Sequence, residues 1–220
     1  MDTNCSICDE INGTPQSLFN DYDKIILSGR HILFSSRFFV ILPSLGPLND
    51  YHILIVPKTH CLSFASVQKE EFDEYLAVAE GVRTYNFDNY GCRTQFFEHG
   101  TGEIGCNNCS CISHAHMHAV ATETDLLQRL ISEYAFEPVA GAAFWGDTGN
   151  IRDGYTLYKN EAGIFINNKT LLPSQFLRQL FSTEDGFKNK LERWNWWAYP
   201  DINSVLNIIN NYSALKNLML

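Results

Sequence analysis

No run in this chain of 220 residues approaches the roughly 18 consecutive apolar residues that crossing a bilayer requires. No basic stretch followed by an apolar one opens it, so no secretory leader is expected and the cytoplasm is the default compartment. Basic residues are scarce. Sixteen lysines and arginines stand against 25 acids, for a net charge of −9. A nonspecific nucleic-acid binder needs a basic field, so nucleic acid is not an expected partner, and any phosphate must be held by local donors. Internal repeats and low-complexity segments are absent. The cysteine count is seven, an odd number, and with no leader that points away from a disulfide framework and towards metal binding or buried thiols. What is present, 45% hydrophobic and 19% charged residues, is the composition of a globular domain large enough to bury a core.

Short apolar runs at Lys24–Leu27, His31–Phe34, Phe38–Leu42 and Ile53–Val56, broken by Gly29, Pro43, Gly46 and Pro57, predict strands in an antiparallel meander. Val67–Asn86 predicts a helix with Phe72, Tyr75, Leu76, Ala79 and Val82 on one face, Ser66 as N-cap and Gly91 as the stop. Strands are expected at Arg93–Phe97 and His114–Ala121, with a Gly- and Cys-rich loop between them, and a short helix at Thr124–Tyr134. The composition shifts near Phe136, which divides the chain into a domain over 1–136 and an extension over 137–220. In the extension, Tyr155–Tyr158 and Gly163–Asn167 read as a hairpin, Ser174 as the cap of a helix through Phe181, and Val205–Met219 as a last amphipathic helix.

The informative segment is Ser113-His114-Ala115-His116-Met117-His118-Ala119-Val120. Three of the seven histidines alternate there, so on a strand they share one face, about 7 Å apart per step, while Ala115, Met117 and Ala119 face the core. A site of imidazoles and a metal site both fit this pattern. Two such histidines can share one ion, but three on a straight strand cannot. Cys5-Ser-Ile-Cys8 is ambiguous by itself between zinc, redox chemistry and neither. Cys106-Asn-Asn-Cys109 with Cys111 leaves the same choice between free thiols and a second metal.

The triad segment resembles the signature of the histidine-triad (HIT) family, His-φ-His-φ-His-φ-φ with φ apolar, at every position. The resemblance extends upstream. Cys5 and Cys8 with Ile11, Gly13 and Pro15 are similar to the family's zinc-type N-terminus, and His52-Ile-Leu-Ile-Val-Pro57-Lys-Thr-His60 to its strand ending in Pro-Lys-x-His. Phe97-Glu98-His99-Gly100 and Leu172-Pro-Ser-Gln-Phe-Leu-Arg178 are similar to segments of a less characterised branch. The resemblance implies an α+β fold, a HIT-like antiparallel sheet of about five strands with a long helix, plus a small C-terminal α/β extension.

It also implies roles. His116 would be the nucleophile that forms a covalent phosphohistidine, its other ring nitrogen held by the carbonyl of His118. The side chains of His118 and His52 would donate to phosphate oxygens, with Cys111 at the position of a phosphate-contacting serine. Ser44, Glu98 and His99 would line a ligand pocket, and Cys5, Cys8, His60 and His114 would hold a structural zinc. The implied activity is hydrolysis or nucleotidyl transfer on a nucleotide or other phosphate-bearing small molecule. A non-catalytic nucleotide-binding or zinc-stabilised interaction module is the alternative, and a homodimer is the expected assembly. Histidine rather than glutamine at 118 favours hydrolysis over transfer.

The chain departs from the family pattern at three positions. Ser44 stands where nucleotide-binding relatives carry a ribose-holding aspartate, Cys111 where they carry serine, and Tyr51 where a glycine precedes the site histidine. Phosphate chemistry is therefore better supported than adenosine recognition. The Trp194, Trp196, Trp197 and Tyr199 cluster suits packing of the extension better than stacking on a ligand. Ser174, Gln175 and Arg178 reach a ligand only if the extension folds over the cleft.

Overall fold

The computed structural model describes residues 5–15, 20–100, 114–140, 154–170, 172–184, 186–187, 194–196 and 198–217. Cys106, Cys109, Cys111 and Trp197 lie outside the described residues.

The described strands form one antiparallel sheet: β1 (Phe34–Ser35), β2 (Phe39–Pro43), β3 (His52–Pro57), β4 (Thr94–Gly100), β5 (Met117–Ala121), β6 (Glu137–Val139), β7 (Tyr155–Asn160) and β8 (Gly163–Asn167). Their order is β1-β2-β3-β5-β4-β7-β8-β6. Eight strands replace the expected five, because the hairpin β7–β8 pairs directly onto β4, Phe97 opposite Tyr158, and β6 closes the far edge against β8. The strands after residue 136 thus continue the same sheet.

The helices are α1 (Ser6–Ile11), α2 (Asn20–Leu27), α3 (Lys69–Tyr90), α4 (Leu127–Tyr134), α5 (Phe176–Thr183) and α6 (Ile202–Asn211). The stretch expected as a strand at Lys24–Leu27 is the end of α2. Tyr22, Ile25 and Ile26 are its buried residues, a helical spacing that a four-residue reading window hid. Of the second expected strand, His31–Phe34, only Phe34 lies in a strand, which runs on to Ser35. Helix α3 starts at a capping box between Gln68 and Glu71 and not at Ser66, and it ends on Gly91 at φ 63. Its buried face uses Val78, while Leu76 is 40% exposed.

Strands β2 and β3 are buried on both faces, which explains their continuous apolar composition. On one face Ile41, Ile53, Ile55, Met117 and Ala119 pack under α3 and α6. The other face is covered in two pieces. Helix α1 brings Cys5 and Ile7 onto Val40, Leu42, Leu54 and Val56. Helices α4 and α5 bring Leu126, Leu130, Leu177 and Phe181 onto Phe97, Val120 and Tyr158. Both coverings border the histidines of β5.

Candidate active site

Strand β5 begins at Met117 and not at His114. Ahead of it, Ala115 N–H donates to the carbonyl of Cys61 at 2.7 Å. This break in the ladder gives the triad's histidines different surroundings. His114 turns towards the N-terminus, whereas His116 and His118 face the cleft.

The ring of His114 meets Cys5, Cys8 and His60, four residues whose ligand atoms all lie within 4.8 Å of one another. Cys5 Sγ and Cys8 Sγ are each 3.4 Å from His114 Nδ1, and Cys8 Sγ is 3.4 Å from His60 Nδ1. A tetrahedral zinc with bonds of about 2.3 Å to sulfur and about 2.0 Å to nitrogen would place S and N roughly 3.5 Å apart. His114 Nε2 donates to the carbonyl of Pro57 at 2.9 Å, which fixes the tautomer that leaves Nδ1 as a ligand. Burial and the neighbouring Cys5 push the Cys8 thiol up to about 12 without a metal, and ligation would reverse that. The residues fit zinc. Helix α1 places Cys5 at its N-cap and Cys8 one turn on, so C-x-x-C spacing becomes convergence of the two sulfurs.

In the triad, carbonyls and amide groups settle the tautomers, since a carbonyl only accepts and an N–H only donates. His116 Nδ1 donates to the carbonyl of His114 at 2.8 Å, so Nε2 carries the lone pair. The expected partner was the carbonyl of His118. The chain ahead of β5 leaves the upstream carbonyl available instead, because it is not used by the ladder. Leu48 N–H donates to His52 Nδ1 at 3.0 Å, so His52 Nε2 bears the proton and donates to His118 Nδ1 at 2.9 Å. His118 in turn bears its proton on Nε2. His52 is fully buried with both ring nitrogens engaged, so it holds His118 and does not itself reach into the cleft. The His118 ring also stacks on Phe97 at 4.5 Å. Burial, reinforced by neighbouring imidazoles and Arg178, holds His52 and His118 well below the ordinary histidine range and lowers His116. All three are neutral at pH 7.

Two cavities open on these rings. The larger is lined by Ile7, Leu45, Leu54 and Trp196, with Ser44, Glu10 and Tyr22 among its polar groups. Ser44 therefore does line the cleft. Tyr22 donates to Glu10, whose carboxyl burial pushes up to about 7. The smaller contains His99, Thr156 and Ser174. His116, His118, Gln175 and Arg178 line both.

Of the other expected pocket residues, His99 is present and Glu98 is not. Phe97 lies opposite His118 and shares its face, so Glu98 points to the α3 side by the two-residue strand period. There Glu98 accepts from Phe64 N–H at 2.8 Å and from Tyr155 Oη, and burial pushes its carboxyl up to about 8.

Sequence reasoning left Arg178 open. The extension does fold over the cleft, and Arg178 on the first turn of α5 is 2% exposed. Its Nε donates to the carbonyl of Trp194 at 2.9 Å and its guanidinium to the carbonyl of Gly46. Gly46 is required there, since a Cβ would come within 2.5 Å of Trp196. Burial lowers the Arg178 pKa to about 9, which still leaves the side chain charged at pH 7. Glu10 and Tyr22 carry no motif or spacing in the sequence that marks them as site residues.

Residues 28–135 match the family model described as "Protein similar to CwfJ C-terminal". This match spans β1 to α4, including His52, His60 and the whole triad. The chain is similar to this family model over just under half of its length, and its triad segment resembles the HIT signature. No curated protein matches it. Among solved structures, a HIT family protein from Bacillus anthracis is 14% identical over 56% of this chain and 76% of its own, with a TM-score of 0.42. A zinc-bound histidine triad family protein from Mycobacterium smegmatis is 14% identical over 66% and 94%, TM-score 0.41. A hypothetical histidine triad nucleotide-binding protein from Sulfolobus tokodaii is 16% identical over 96% and 99%, TM-score 0.36. At such TM-scores these likenesses add nothing about the chemistry of this chain. No helix among its described residues is long and apolar enough to cross a membrane.

Proposed function

We propose that this protein is a phosphoester or phosphoramidate hydrolase, or a nucleotidyl transferase, acting on a nucleotide or related phosphate conjugate. The observation that carries this reading is the Nδ1 bond of His116 to the carbonyl of His114, which leaves the Nε2 lone pair in the cleft beside His118 and the buried cation of Arg178. A neutral imidazole with one nitrogen so fixed is a competent nucleophile at pH 7. The Nε2 pair bonds to phosphorus and the leaving group departs with its own electron pair. The His118 Nε2–H and the Arg178 guanidinium face the charge that grows on the phosphate oxygens. Water then displaces His116 from phosphorus. His52 serves as a positioning residue for His118. Cys5, Cys8, His60 and His114 hold a structural zinc that ties α1, and with it one wall of the larger cavity, to the start of the triad.

Nucleoside phosphoramidates of several bases, together with a non-nucleoside phosphate ester, test the reading. His116→Ala is expected to abolish turnover while substrate still binds, and His52→Ala to slow turnover by roughly 10²-fold through disordered His118. Undiminished turnover by His116→Ala would refute the nucleophile. Binding with no turnover by the wild type would favour the non-catalytic module.

A further inference from the structure

A phosphate seated against His116 Nε2 and bearing two substituents must project them in different directions, and the cleft offers two chambers that meet at His116, His118, Gln175 and Arg178. The chambers differ in chemistry. The larger presents Leu45, Leu54 and the Trp196 ring, a surface that holds a flat, partly apolar group by burial. The smaller is lined by Phe97, Phe176 and Leu177 as well, but adds the polar residues His99, Thr156 and Ser174. His99 and Thr156 sit opposite each other where β4 pairs with β7, so the hairpin after residue 136 supplies part of the second chamber's wall. Gln175 stands where the chambers join and is held at φ 63, a left-handed conformation costly for a residue with a side chain and typical of ligand-facing turns.

His99 is the informative group. Its Nδ1 is buried and has no hydrogen-bond partner among the described residues. Buried polar atoms in folded proteins are nearly always satisfied, so His99, which lines the smaller chamber, is a residue there with hydrogen-bonding capacity left for a ligand. His99 is also close enough to His116 to bear on its ionisation.

We propose that the smaller chamber receives the departing substituent, that this substituent is an amine or alcohol bearing a further hydrogen-bonding group, and that His99 is the residue that selects it. The inference rests on the proposed reaction at His116. The group in the larger chamber is anchored by buried apolar area and stays on phosphorus through the covalent stage. In the first step the P–N bond to His116 forms from the Nε2 lone pair, and the bond from phosphorus to the departing oxygen or nitrogen breaks. The departing atom keeps that pair and takes a proton from solvent. His99 transfers nothing; it hydrogen-bonds the distal polar group.

Two series of nucleoside phosphoramidates test this on the full chain. One keeps the nucleoside and varies the amine between butylamine and aminopropanol, which differ by a terminal methyl against a hydroxyl. The other keeps the amine and varies the base. The wild type is expected to favour aminopropanol in kcat/KM by roughly fivefold to tenfold, the range of one neutral hydrogen bond. His99→Ala should erase that preference and leave the base order unchanged. His99→Asn, whose amide can occupy the Nδ1 position, should keep it. Dissociation constants for the same compounds on His116→Ala make the comparison without chemistry. Preference retained there with no turnover by the wild type would remove the hydrolase reading and keep the partition. No preference in the wild type, a preference that survives His99→Ala, an altered base order, or no binding by any compound would overturn the proposal.

Discussion

Replacing Arg178 by methionine removes a charge while keeping a side chain of similar length, and its effects on stability and on function are expected to part company. Burial lowers the Arg178 pKa from 12.5 to about 9. At about 1.4 kcal/mol per unit, keeping the charge buried costs on the order of 5 kcal/mol. Against this stand the bonds to the carbonyls of Trp194 and Gly46, at about 1.5–3 kcal/mol each for a charged donor. The two nearly cancel, so Arg178→Met should change unfolding free energy by no more than about 2 kcal/mol. A phosphate about 4 Å from the guanidinium gains roughly 4 kcal/mol at an effective dielectric constant of about 20. Losing that interaction should weaken phosphate binding or kcat/KM by roughly 10²–10³-fold. Urea unfolding and steady-state kinetics on the same preparation give the two numbers. Refutation would be a variant that keeps wild-type kcat/KM, or one whose activity falls only in proportion to unfolded protein; either would make Arg178 a strut that pins the extension.

The metal set predicts one zinc per chain, measured by elemental analysis. Cys8→Ala should reduce it to near zero, and a loss of ~3 kcal/mol would lower Tm by about 6–12 °C for a chain of this size; full stability after chelation would exclude a structural zinc. Glu98 predicts a pH dependence. Its carboxyl sits at about 8 when folded against 4.5 when free, so the folded chain keeps a proton that the unfolded chain gives up. The stabilisation is therefore complete below about pH 4.5 and is lost as pH rises through about 8. Glu98→Gln, which mimics the protonated acid, should flatten the fall in urea midpoint between about pH 5 and about pH 8, and an unchanged slope would contradict the buried neutral carboxyl.

The sequence determined those parts of the site whose chemistry depends on local spacing. Alternation at 114, 116 and 118 limits which faces three imidazoles can take, and C-x-x-C on one helical turn brings Cys5 and Cys8 together wherever that helix packs. Strand and helix cores with long, regular patterns, β2, β3 and α3, were legible for the same reason. Long-range pairing was not legible. Whether the hairpin after residue 136 stands apart or continues the sheet depends on β7 docking on β4, a contact between residues some sixty apart that no local pattern encodes. That pairing supplies part of the smaller cavity's wall, and the packing of α5 on Phe97 and Val120 brings Arg178 beside the triad. The roles of the histidines were decided in the same way. His52 shares a motif with the site residues, but only the tertiary structure shows Leu48 N–H on one side of its ring and His118 on the other, and a ring with both nitrogens engaged orients its neighbour.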